Sequence, residues 1–572
     1  MRLRQGLFII ALLITHCIMG QDIEKNILYL AGVPAMEMVE LSDIEKYYEL
    51  KSRPVRINFS SREKLLSSGL FSPYQVASVL EYISENGEIL SYEELSLIDG
   101  FSKDFVSALL PFISLDYKGK PGSLEQKSMN FKGTIISNIS TSNKIGYGTK
   151  IKSTLGQSLE VGLSARSIDL KVDPIPKQYG GYFVFRNEKI KSKILIGDFN
   201  ARFGQGLVLW TGFYIKDYHR PLSIIKRAMS VTPSVSFSGG TCRGVAASCE
   251  FGNLSLSIFS DFPVLKYDGM SKIKCPVVSS QSVNTSLYFR NCQIGMTGMV
   301  ESGFNGIYNS RLSIDSRACI NGTDIFGEVG YDILNRQVAV IGGIASRLSD
   351  NVLCAFSTRY YAPEYGKMSC YKTLTKINDE LGAVFACETK YLDFSVDYNS
   401  MLTKKLHKLS LFMGKLYSLN KNFRSDLRLV YKSNLLRKEN RVDCRGDLIF
   451  ERGKLLCKVR ANLVYTGDYS SLAYVESGYI DSSKALYLRG TVFFADTWKS
   501  RLYAYERDAP ENFSVPAYYG RGYSLAMYGN IGFKTGKFSS IKLYIKARIT
   551  AFPWSVNHTY KSLLRFQLIY RW

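Results

Sequence analysis

The sequence predicts a mainly-β chain: a large transmembrane antiparallel β-barrel of about 22 to 26 strands, preceded by a small all-α domain. Three observations predict it. From Met129 onward, apolar and polar residues alternate with a period of two, segment after segment, up to the last residue. The composition is rich in Tyr (38), Phe (32) and Gly (46) and poor in Pro (15). Beyond the first twenty residues, no apolar run reaches the roughly 20 residues that a membrane helix needs. A chain of this kind crosses a membrane with alternating strands, whose hydrophobicity an average conceals.

Residues 1–20 carry Arg2 and Arg4, then the apolar run 7–14, then small or weakly polar residues before Gln21. This is the pattern of a secretory signal peptide, too short for an anchor. Cys17 follows His16 rather than a small residue, so cleavage near Gly20 is expected instead of lipidation. Residues 21–54 mix charged and apolar positions at helical spacing, which predicts one or two short helices stopped by Pro54.

Residues 55–115 contain one arrangement twice. In the first copy Ser60 or Ser61 caps, Leu65 and Leu66 pack, Gly69 turns, and a second helix with Val76, Val79 and Ile83 on one face ends at Asn86 and Gly87. In the second, Ser91 caps, Leu95 and Ile98 pack, Gly100 turns, and Phe105, Val106, Leu109 and Leu110 follow. This tandem resembles the paired helix-hairpin-helix domain of the competence DNA receptor. In DNA-binding members the turn is Gly-x-Gly, so that bare backbone N–H groups at a helix start can approach a phosphate. Here the turns are Gly69-Leu70-Phe71-Ser72 and Gly100-Phe101-Ser102-Lys103, with Phe71 and Ser102 in place of the second glycine. The segment holds four Lys/Arg (Arg56, Arg62, Lys64, Lys103) against eight Asp/Glu, which opposes phosphate binding. The domain is therefore a degenerate tandem, and docking is expected of these turns ahead of DNA contact.

Residues 116–128, with Gly119, Pro121 and Gly122, read as a linker, and residues 129–572 as the barrel. Within it Ile541, Leu543, Ile545, Ala547 and Ile549 oppose Lys542, Tyr544, Lys546, Arg548 and Thr550. Cys457, Val459, Ala461, Leu463 and Tyr465 likewise oppose Lys458, Arg460 and Asn462. The last strand, 560–572, has Leu564, Phe566, Leu568, Tyr570 and Trp572 on one side and ends on an aromatic. It resembles the terminal signal strand of outer-membrane barrels, which implies that Phe566, Leu568, Tyr570 and Trp572 are the assembly signal and that the strand closes the ring against the first. Four further stretches stand out: GDF...FGQGL at 197–207, RGVAA at 243–247, RYYAPEY at 359–365, and YER at 505–507 with YYGRG at 518–522. With them, nearly the whole mature chain resembles a family of Bacteroidetes exported helix-hairpin-helix proteins with a large outer-membrane barrel. That resemblance implies an architecture and no settled activity.

The net charge of +23 is divided unevenly. Residues 1–117 hold 10 Lys/Arg against 16 Asp/Glu, a balance of −6, and the other 455 hold 63 against 34, a balance of +29. An acidic domain docked to a basic lumen follows as an expectation. Asp198, Arg202, Arg243, Glu328, Arg359, Glu506, Arg507 and Arg521 are expected to form lumen ion pairs. Ten cysteines outside the leader show no CxxC or zinc-type spacing, and three histidines are scattered, so no metal site, cofactor or catalytic triad can be assembled. Among the cysteines Cys242 and Cys249 are a candidate pair, whereas Cys354, Cys387 and Cys457 read as small hydrophobes.

No enzyme is expected. The leading expectation is a conduit or a component of an envelope transport or assembly system in the outer membrane, with the helical domain periplasmic or within the lumen. A DNA-uptake protein and an adhesion protein anchored by the barrel stay open beside it. Expected partners are outer-membrane lipid, the barrel assembly machinery and a periplasmic or envelope protein, with nucleic acid disfavoured.

Overall fold

The computed structural model describes residues 23–116 except Glu40, and residues 131–572 except 143, 157, 213–217, 237–240, 263–276, 290–291, 350, 367–368, 370–378, 436–438, 482, 514, 537–538 and 555–558. The segment expected to be a signal peptide, the expected linker beyond Asp116, and Cys275 and Cys370 lie outside the described residues. No described helix is long and apolar enough to cross a membrane.

Among the described residues, six α-helices lie in the N-terminal region: α1 (Glu24–Ala31), α2 (Leu41–Ser52), α3 (Arg62–Ser67), α4 (Pro73–Asn86), α5 (Tyr92–Leu95) and α6 (Lys103–Leu109). Local chemistry explains their ends. Ser61, Ser72, Ser91 and Ser102 each accept a backbone N–H from the first turn of α3, α4, α5 and α6. Ser72 and Gln75 complete a reciprocal capping box. The two hairpins are joined by Asn58, whose amide donates to the carbonyls of Ile89 (2.9 Å) and Asp116 (3.0 Å) and accepts from the Ile89 N–H. A two-residue parallel pairing, Val55–Arg56 with Ile113–Ser114, ties the ends of the unit. Leu65, Leu70, Phe71, Ile89, Leu95, Leu109 and Phe112 fill one core.

The remaining chain forms a closed antiparallel barrel of 24 strands. Successive strands pair as hairpins from Phe131–Thr141 onward, and the last strand, Thr559–Arg571, pairs with the first, from Leu564↔Thr141 to Arg571↔Thr134. Gly306–Ile320 shows why this sequence makes a two-faced wall: Arg311, Ser313, Asp315 and Arg317 are buried on the inward side, while Leu312 and Ile314 are exposed on the outward side. The connections at the end of the barrel holding residues 131 and 572 are short. The strands that flank the long ones (168–177, 203–241, 262–276, 362–379 and 496–519) are joined by them at their opposite ends.

One long connection departs from the wall. In Ser192–Arg202, residues as far as Phe199 pair with Cys242–Phe251, and the remainder pairs instead with the short strand Ser230–Pro233. Before that short strand in the chain, α7 (Pro221–Ile224) packs on the strands Val352–Tyr361 and Glu380–Thr389. Ile224, Ile225 and Tyr218 pack there with Phe326, Ala355, Val384 and Ala386.

Candidate docking interface

Five glutamates of the helical region meet basic side chains of the barrel strands and their long connections. Glu24 pairs with Arg507 (2.8 Å), Glu45 with Lys150 (3.0 Å), Glu49 with Lys152 (2.6 Å) and Glu63 with Lys193 (2.6 Å). Glu37 takes both Arg460 and Arg445 (3.3 Å), with the Tyr505 N–H donating to it at 3.0 Å. Lys150, Lys152, Lys193, Arg445 and Arg460 all have the inward parity of their strands. Apolar and polar contacts accompany the charges. Arg62 lies over the Tyr288 ring and donates to the Gly252 carbonyl (2.9 Å), Arg53 donates to the Gly133 carbonyl (3.1 Å), and α4 packs on three strands between Val277 and Ile320. The contacted strands thus lie on widely separated parts of the ring.

Burial opposes ionisation of the Glu37 carboxyl, but the Arg445 guanidinium and the Tyr505 N–H outweigh it and hold the group down at about 2. Desolvation likewise opposes ionisation of the half-buried Glu63, yet Lys193 and Arg186 keep its carboxyl below the usual range. Glu45 behaves oppositely. Burial and then the neighbouring Glu511 carboxylate push it up to about 8, against the pull of Lys150. Glu511 belongs to the connection 496–519 and contacts the same Lys150 ammonium. The helical domain, the wall and an in-folded connection therefore meet at one lysine.

Connection 496–519 carries the YER stretch. Arg507 bridges Glu24 and the wall residue Glu476 (3.2 Å), and Glu506 receives Tyr518 Oη and Lys546 (3.1 Å). Asp508 faces Lys546 (3.2 Å) and Arg565. Three other stretches converge elsewhere. Glu328 accepts the N–H groups of Gln205 (2.6 Å) and Leu207 (3.2 Å), and the Leu207 carbonyl accepts from Arg311 (3.3 Å) and from Tyr365 Oη (3.1 Å). FGQGL, the strand containing Glu328, and RYYAPEY meet there. Gly204 has φ +53°, and a Cβ on it would lie 2.8 Å from the Glu328 carboxylate, so a side chain would push into the junction.

The expected lumen network is therefore not one network. Arg359 pairs inward with Glu380 (2.6 Å) and Asp397 (2.8 Å), while Glu328 is satisfied by backbone donors in place of an arginine. Arg202 donates to the Thr211 carbonyl (3.0 Å) and lies over Trp210. Three expectations need correction. Asp198 and Arg243 do pair (2.6 Å), but they share the parity of exposed Ile196 and Val245, which puts them on the outward side. Arg521 is outward too, paired with Asp496 at 2.7 Å in an exposed position. The Cys242–Cys249 pair is also overturned. Both residues lie in the extended strand Cys242–Phe251, about 23 Å apart at roughly 3.3 Å per residue, far beyond the reach of a disulfide.

The first turn, Gly69 to Ser72, packs beneath Met229, and Leu70, Phe71 and Ser72 are buried. The second is held by Gln75, which donates to the Gly100 carbonyl (2.7 Å), with Phe101 buried and Lys103 exposed. At the ring closure, Trp572 exchanges backbone hydrogen bonds with Gly133 (3.1 and 3.2 Å), and its indole covers that glycine between Phe131 and Tyr570. Sequence reading missed the docking residues individually. Their signal was the charge contrast combined with inward parity, as in Lys150 and Lys152 within an alternating run.

No family model matches the chain, and no curated protein matches it. Among solved structures, Pseudomonas aeruginosa OccK7 (OpdD) is similar with 8% identity over 77% of this chain and 97% of that one, at a TM-score of 0.30. The P pilus usher (PapC) translocation pore is similar with 8% identity over 77% of this chain and 98% of that one, at a TM-score of 0.31.

Proposed function

We propose that this protein is an outer-membrane barrel acting as a conduit or as part of an envelope transport or assembly system, with its acidic helical domain serving as a plug in a basic lumen. The observation that carries this reading is the set of glutamates, Glu24, Glu37, Glu45, Glu49 and Glu63, each matched to a base of the barrel or its connection. Matched charge orients a docked body more than it tightens it, and a plug needs a fixed orientation across a wide ring. The outward apolar face and the short turns at the end with the termini fit a barrel in an outer membrane.

The buried first hairpin turn favours docking over a grip on nucleic acid, so DNA uptake is not advanced. The test is crosslinking in intact envelopes with a bismaleimide across Glu49→Cys and Lys152→Cys, and separately across Glu37→Cys and Arg460→Cys. Both pairs should crosslink within one chain. Failure of both would remove the plug.

A further inference from the structure

The register of the wall brings together two cysteines that are far apart in sequence. In the antiparallel pairing of Val352–Tyr361 with Glu380–Thr389, Cys354 stands directly opposite Cys387, and their Sγ atoms are 2.7 Å apart. Opposed residues of an antiparallel pair have Cα atoms about 4.5–5.5 Å apart, inside the disulfide range of about 4.4–6.8 Å. The other described cysteines face non-cysteine partners across their strand pairs: Cys444 faces Leu429 and Leu463, Cys457 faces Phe450 and Ser477, Cys249 faces Ser192 and Leu256, Cys242 faces Phe199, Cys292 faces Ala318, and Cys319 faces Asp324. We propose that Cys354 and Cys387 are joined by a disulfide in the exported protein. The proposal rests on the envelope reading, because only an oxidising compartment keeps such a bond.

The bond forms by exchange with a protein disulfide donor of the envelope. One thiolate attacks the donor disulfide, and the second displaces the donor from the mixed disulfide. The two protons lost by Cys354 and Cys387 are passed, through solvent, to the two leaving thiolates of the donor, which departs as a dithiol. Both side chains share the outward parity of Phe356 and Phe385, near the short-turn rim of their strands. Oxidation therefore precedes burial of this face in lipid. The staple ties the foot of the hairpin whose far end carries Tyr365, the residue that holds the Leu207 carbonyl. A one-residue slip would turn every side chain of the strand to the other face, and the bond forbids it.

The test takes the full-length protein from envelopes without reductant, denatures it in excess alkylating agent and digests it with trypsin. Peptides 348–359 and 377–390 should appear linked, two hydrogens lighter than the pair of thiols, and should separate on reduction. Recovery of both peptides alkylated from envelope protein would overturn the proposal. A Cys354→Ser chain that still folds, judged by heat-modifiable mobility, must lose the linked species, and its persistence would overturn the assignment too. Recovery of the chain from the cytoplasm would instead sink the export reading. In that case diamide treatment of the folded protein decides the pairing: closure supports it, and unreacted thiols overturn it.

Discussion

Glu37 gathers two guanidinium groups and a backbone N–H at one carboxylate, in a position where every partner belongs to the barrel or its connection. Removing one member of a buried charge cluster costs about 3–5 kcal/mol, because the remaining charges stay buried without compensation. Glu37→Gln keeps the shape and removes the charge. Undocking of the helical domain should therefore rise by about a hundredfold or more, measured as the rate of trypsin cleavage within residues 24–115 of the micelle-bound protein. An unchanged rate would show that the cluster orients without holding. Glu45 should act in the opposite pH direction from Glu37. Its docked carboxyl sits near 8 against an ordinary 4.5, so its contribution to docking is complete below about 4.5 and is lost as pH rises through about 8. Glu37, held near 2, contributes fully above about 4.5 and loses its effect only as pH falls toward 2. Cleavage should accordingly increase from about pH 5 to about pH 9, and Glu45→Gln should flatten that rise.

At the scale of elements, the period of two was readable because each strand meets two different media, so alternation is a requirement of every segment. Cys457 to Tyr465 and Ile541 to Ile549 keep the faces that their pattern predicts. Helix caps were readable for a similar reason: Ser61 and Ser91 act within four residues of themselves. What was not readable depends on register or on partners distant in sequence. The outward position of Asp198 follows from where Ser192–Arg202 lies beside Cys242–Phe251. The facing of Cys354 and Cys387 likewise comes from hairpin pairing, and Glu328 is satisfied by a connection more than a hundred residues away. The last strand was legible in its alternation and aromatic end, and its pairing with the first strand adds a separable prediction. Trp572 lies at the rim, where a cation on the lipid face costs only about 0–1 kcal/mol. If Trp572→Lys nonetheless strongly lowers the amount of heat-modifiable barrel while Trp572→Phe does not, the aromatic acts as a recognition signal during assembly and not through stability. Equal levels in both variants would dismiss that role.

Twenty-four strands make a ring too wide for its own side chains to fill. Interiors close up in that way near 8 strands, whereas rings of 16 to 22 strands enclose a channel or need a plug. In this molecule the inward charges are buried because other parts of the chain cover them. The helical domain contacts strands around the ring, and the connections 203–241 and 496–519 reach inward from the long-loop end. Arg507 to Glu24, and the Tyr505 N–H to Glu37, tie the second connection to the domain itself. Anything that moves that connection from outside must then strain the docking. This arrangement makes a whole-molecule prediction in planar bilayers. The intact protein should pass little current, and a chain lacking residues 23–116 but retaining both connections should form a larger, steady conductance, provided that heat-modifiable mobility shows its barrel assembled. Lys193, stripped of Glu63, and Arg445 and Arg460, stripped of Glu37, would line that opening and bias it toward anions. A large conductance in the intact protein would dismiss the plug. An assembled but silent deletion chain would dismiss the conduit.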